Sequence, residues 1–176
     1  NKFLGLTTLL VISLIVAGTL LTESRQRGTI VLELQKRALT TAESIASSTV
    51  EAFPTYNFVE MERAVMLARR QADVAHIIIH DKEGRIAAHS HRPDLTGTLM
   101  RDPATTAALG AHEPRLQSYS PGQGQAVVYE AAVPVHLERS TEKWGTVRVA
   151  LSSASVVREI RRTRWQLAGL GLTAAL

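Results

Sequence analysis

The 176-residue chain contains no cysteine, so neither disulfide bonds nor thiolate metal ligands contribute to its fold or chemistry. Aromatic residues make up only 5% of it, and none interleaves with basic residues in the stripes that grip nucleic acid. The sequence also lacks a nucleophile elbow, a Walker-type phosphate loop and a zincin spacing. Gly122-Gln123-Gly124 sits in a polar stretch and does not open a helix, so it is a turn. These absences argue against nucleic-acid binding, call for no cofactor, and assign no catalysis to this chain.

Charge is present but unevenly placed. Much of the positive excess behind the net charge of +4 flanks apolar segments. Arg25 and Arg27 follow the first, and Arg158, Arg161, Arg162 and Arg164 precede the second. Arginines there can lay their stems on apolar surface and their heads among lipid headgroups. Phe3 to Leu21 carries no charge and is long enough for a transmembrane helix. Trp165 to Leu176 begins a second apolar run too short to cross a bilayer, and is expected to be the start of a second span, with Trp165 as its interfacial anchor.

Between these segments the pattern changes. Thr22 to Phe53 keeps helical periodicity, with one apolar stripe through Val31, Leu34, Ala38, Ala42, Ile45 and Ala52. A second stripe runs through Leu32, Leu39, Ala46, Val50 and Phe53. One stripe can face the domain core and the other a partner helix in a homodimer. Pro54 stops the helix, and Asn57 with Glu60 predicts a cap for a second helix over Phe58 to Gln71. Ala75 to His80 and Arg85 to His91 read as strands joined by Asp81-Lys82-Glu83-Gly84. Asp102-Pro103-Ala104 starts a short helix ending near Gly110. Strands follow at Leu116–Tyr119, at Gln125–Val135 with an interruption at Pro134, and at Trp144–Leu151. The expected fold is α+β: about five antiparallel strands with helices against them. The expected division is transmembrane helix 3–21, stalk 22–53, sheet domain 54–152, closing helix 153–164 and second span 165–176.

The chemistry concentrates in the first hairpin. A two-residue turn at Glu83-Gly84 pairs His76 with His91 and Ile78 with His89, which puts His76, His80, His89 and His91 on one face. A three-residue turn with a bulge at Gly84 pairs His76 with Ser90 and separates them. Arg85, His89, His91 and Tyr129 are candidates for an anion or organic-acid pocket, because arginine and protonated histidine are natural carboxylate donors. Arg148, on the last strand, is a further candidate. A divalent-metal site from His89, His91 and Glu130 is the alternative. Histidines half-buried on a sheet, holding no ligand, are a third reading.

The order of elements resembles the single-Cache, extracytoplasmic PAS-like sensor domains of bacterial transmembrane receptors. The resemblance is carried by Asp81 to Ser90 with Gly97 beyond, by Val128 to Val135, and by Trp144 to Val149. It implies a small-molecule ligand, an organic acid or zwitterion, held on one face of the sheet. It implies a homodimer built on the first helix. It also implies an inner-membrane location with the sensor outside, and output through the second span to a module such as a histidine kinase. The citrate and dicarboxylate sensors of that group place an arginine and a histidine after the turn, where Arg85 and His89 stand here. They also place basic residues where this chain has Glu130 and Ala132.

Overall fold

The computed structural model describes residues 28–154 except 72, 123–124 and 138–139. Both apolar segments, Phe3–Leu21 and Trp165–Leu176, and almost all of the closing helix lie outside the described residues. Among those described, no helix is long and apolar enough to cross a membrane. The chain divides into two units after Glu33. Residues 28–33, the described part of the first, are helical, with Leu32 exposed.

In the second unit, helix α1 covers residues 34–49 and tightens into a 3₁₀ turn at Val50–Ala52, just before Pro54. Its predicted inner stripe is buried at Leu34, Ala38, Ala42, Ile45 and Ala52. The second stripe divides. Ala46 and Phe53 are also buried, whereas Leu39 and Val50 are half-buried. Helix α2, Phe58–Ala68, ends three residues sooner than its pattern predicts. Asn57 caps it as expected, its side-chain oxygen accepting from the Glu60 amide at 3.3 Å. Helix α3, Pro103–Leu109, is capped in the same way by Asp102, which accepts from the Thr105 amide at 2.9 Å.

Five strands, β1 (Val74–Asp81), β2 (Ile86–His89), β3 (Arg115–Tyr119), β4 (Val128–His136) and β5 (Lys143–Ser152), form one sheet in the order β2-β1-β5-β4-β3. Every neighbouring pair is antiparallel. Pro134 does not interrupt β4, contrary to expectation. Pairing with β3 stops at Ala132, so the missing amide falls where β4 borders β5 alone.

The hairpin combines the two registers predicted for it. Gly84 takes a positive φ of 81°, and His80 pairs with Ile86. Ala87 is then the extra residue of a bulge, after which Ile79 pairs with Ala88 and Ile78 with His89. The bulge returns His89 to the face that His80 occupies.

Side chains alternate across the strands, so the register defines two faces. One carries Ile77, Ile79, Ala131, Val133, Val147, Val149 and Leu151, all buried. This face meets α1. A Cβ on Gly145 would lie 2.1 Å from the Phe53 ring, so only glycine lets α1 finish there. The opposite face lies under α3.

Candidate functional site

The face beneath α3 holds a charged cluster in place of an apolar core. Glu130 on β4 and Arg148 on β5 are both essentially inaccessible to solvent. The arginine grips the carboxylate with two parallel bonds, Nε to Oε1 at 2.8 Å and Nη2 to Oε2 at 2.9 Å. Three more donors complete the carboxylate. Gln117 Nε2 donates to Oε1 at 2.7 Å, Tyr119 Oη donates to Oε2 at 2.9 Å, and His76 Nε2 approaches Oε2 at 3.1 Å. An ionised carboxylate only accepts, so the shared proton at His76 sits on Nε2. Burial pushes the Glu130 carboxyl up, but the bonds from His76 and Arg148 outweigh it and hold the pKa down at about 2. Burial and Glu130 push the Tyr119 hydroxyl well above its ordinary value, so it remains a donor.

Helix α3 is fastened over this cluster. Thr105 Oγ1 accepts from Arg148 Nη1 and donates to Asp102. Gln117 Nε2 also reaches the Ala104 carbonyl at 3.0 Å. Lys143 Nζ holds the far end, donating to the carbonyls of Leu109 at 2.6 Å and Ala111 at 2.7 Å. The Leu109 side chain lies within 3.0 Å of where a Cβ on Gly84 would stand, so α3 reaches the β1–β2 turn.

At that end of the face the hydrogen bonding is incomplete. His80, fully buried, donates from Nδ1 to the Gly84 carbonyl at 3.2 Å, which leaves Nε2 as a lone-pair acceptor. Burial and then the Arg148 charge lower its pKa to about 4, so it is neutral near pH 7. Its cross-strand neighbour Thr146 is equally buried. Among the described residues, the buried side-chain polar atoms without a partner are His80 Nε2, Thr146 Oγ1 and Trp144 Nε1. Alternation along β5 sets Thr146 and Arg148 on one face, whereas Trp144 is the extra residue of a bulge opposite His136, with Lys82 Nζ 5.1 Å from its ring centre. Each such orphan costs about 1–3 kcal/mol of stability.

The predicted site residues are dispersed by this arrangement. Arg148 lies at the centre of the cluster. His89 borders it, its ring 6.3 Å from that of His76. His89 Nδ1 accepts from the amides of His91 at 3.1 Å and Arg92 at 3.2 Å, which fixes the proton on Nε2. Burial, followed by the neighbouring His76 and His91, lowers the His89 pKa to about 4. His91 is exposed beyond the end of β2, with Nδ1 hydrogen-bonded to Ser90 Oγ at 2.8 Å. Arg85 is also exposed and donates to the Gly97 carbonyl at 3.1 Å, so it is a loop clamp outside the cluster. Tyr129 is on the opposite face from Glu130 and Arg148, because it occupies the alternate position on β4.

The alternative metal set does not converge. Both oxygens of Glu130 are occupied by five donors, and among the described residues no three histidine or acidic groups come together around a metal position. The cluster residues missed by the sequence reading are Gln117, Tyr119, Thr105 and Thr146, together with Glu130 as the partner of Arg148. The available signal was a lone acid in Val128–Val135 and a lone base in Thr146–Leu151, two otherwise apolar strands. Charges placed there need each other.

Comparison with known proteins accounts for this architecture. No curated protein matches the chain. Among solved structures, the E. coli DcuS sensor domain superposes with a TM-score of 0.56 at 16% identity, over 74% of this chain and 97% of that one. The sensor domain of the V. cholerae histidine kinase DctB gives 0.52 at 18% identity, over 76% of this chain and 54% of that one. An extracellular ligand-binding receptor from Desulfohalobium retbaense gives 0.52 at 15% identity, over 76% of this chain and 24% of that one. These likenesses are of fold. The model of the family described as single cache domain 3 matches residues 25–164, most of the sequence and every described strand, and the chain therefore belongs to the single-Cache family of sensor domains.

Proposed function

We propose that this chain is the extracytoplasmic ligand-sensing part of a bacterial transmembrane receptor of the sensor histidine kinase type. It would bind a small organic acid or zwitterion beneath α3. The observation that carries this reading is the buried Glu130–Arg148 cluster on a sheet face over which the seven-residue α3 is fastened. A purely structural domain of this size gains little from burying an ion pair, since well-packed apolar residues stabilise as well. Family membership and the uncharged Phe3–Leu21 segment support the membrane-anchored arrangement. The outward apolar positions of the first helix, with Leu32 exposed, support a homodimer.

A ligand acts here only through unequal affinity for two arrangements. Contacts that change how α3 sits on Arg148, Gln117 and Lys143 would move β5, whose end leads toward Trp165. The test is thermal unfolding of the full chain with small organic acids, amino acids and divalent metal ions added separately. Stabilisation by one class of organic compound, at concentrations well above its Kd, supports the reading. No shift with any organic compound contradicts it, and a shift with metal ions alone favours the metal alternative.

A further inference from the structure

We propose that His80 Nε2 and Thr146 Oγ1 form a subsite for a hydrogen-bond donor of the ligand, an ammonium or hydroxyl group. The domain would then select amino or hydroxy acids over bare carboxylates. This inference rests on the sensor reading above and adds the ligand class.

Two independent features support it. First, two of the described buried polar atoms that lack a partner belong to His80 and Thr146, which face each other across adjacent strands at one end of the polar face. The His80 ring is locked by the Gly84 carbonyl so that its free nitrogen can only accept, and the Thr146 hydroxyl can accept beside it.

Second, the natural carboxylate receptor of the face is already occupied by the protein. The Nε–Nη2 edge of the Arg148 guanidinium is taken by Glu130, and Nη1 donates to Thr105. Glu130 thus stands where a ligand carboxylate would pair most strongly, and Asp102 adds a second negative charge beneath α3. A bare dicarboxylate meets acids and lone pairs here, whereas a molecule with an ammonium or hydroxyl group satisfies them. A site built to receive a donor rejects the analogue that lacks it, because its own buried groups then remain unpaired.

The experiment uses the full chain and a matched series: succinate, L-malate and L-aspartate, which differ only in bearing no added donor, a hydroxyl or an ammonium. A panel of other amino acids is set beside acetate and fumarate. Unfolding midpoints and titration calorimetry are read for the native chain and for Thr146→Val, Thr146→Ser and His80→Phe. The expected result is a shift of roughly 5 °C or more with donor-bearing compounds and at least tenfold weaker binding of donor-free acids. Thr146→Val should raise the midpoint without compound by roughly 2–5 °C, since it removes an unpaired hydroxyl, and weaken binding about tenfold. Thr146→Ser should retain binding, and His80→Phe should lose it.

Stabilisation by donor-free acids alone overturns the donor subsite and leaves the sensor reading intact. No shift with any compound overturns both. A Thr146→Val chain that is less stable without compound shows the hydroxyl to be satisfied by buried water, and that also overturns the subsite.

Discussion

The two faces of the sheet are cut from the same strands, yet they differ in nearly every physical respect. Toward α1, Ile77, Ile79, Val147, Val149 and Leu151 are buried, as are Leu34, Ala38, Ala42 and Ile45 of the helix, in a predominantly apolar core. Toward α3, the alternate positions of the same strands carry His80, Glu130, Thr146 and Arg148, equally shielded from water, with His76 half-buried beside them. The first face draws its stability from burial and packing. The second is held together by paired charges whose desolvation cancels much of their attraction. Stability and chemistry are thus divided between two surfaces of one sheet.

The sharpest way to break this comparison is to unpair the polar face. Arg148→Ala leaves Glu130 buried without its cation and should cost about 3–5 kcal/mol in urea unfolding. The double substitution Glu130→Leu with Arg148→Met should recover most of that loss. If the double variant is as unstable as the single one, the cluster is structural rather than dispensable.

Acid provides the next test. His80 has a folded pKa of about 4 against an ordinary 6.5, so the unfolded chain takes up the proton first. Stability should therefore fall as pH drops from 6.5 to about 4, by about 3 kcal/mol from this residue alone. Glu130, at about 2 against 4.5, adds a further loss between those values as its carboxylate is protonated. Unfolding measured from pH 7 to pH 4 should show a slope that His80→Phe reduces. An unchanged slope would assign the acid sensitivity to other groups.

How much of this could be read from the sequence follows from the same comparison. The elements were legible because their signals are local: the isoleucine run of β1, the α1 stripe and the Asn57 and Asp102 caps lie where the pattern placed them. The polar face depended on register between distant strands. Arg85 and His89 lie four residues apart, but the bulge at Ala87 and the exposure of Arg85 separate their roles. Tyr129 and Glu130 are adjacent in sequence and opposite in space. The pairing of Glu130 with Arg148 needed the β4–β5 alignment, which no short-range signal supplies.

Smaller changes sharpen the contrast. Ile77→Val, a single methylene removed from the apolar face, should cost about 0.5–1.5 kcal/mol and leave ligand affinity unchanged. Altered affinity would mean that the faces are coupled through β1. At the surface, Arg92 pairs with Asp94 while both side chains are more than half exposed. Arg92→Ala should leave the urea midpoint unchanged within experimental error.

Whether a ligand occupies the polar face, as proposed, is mapped most directly by side-chain NMR. The full chain is labelled at histidine rings and at threonine and valine methyl groups, then titrated with the first compound that raises its unfolding midpoint. The predicted result is a set of shifts at His76, His80 and Thr146, with Val147 and Val149 little changed. Shifts confined to His136, Val133 and Val135, which line the open groove between α1 and β4, would contradict it.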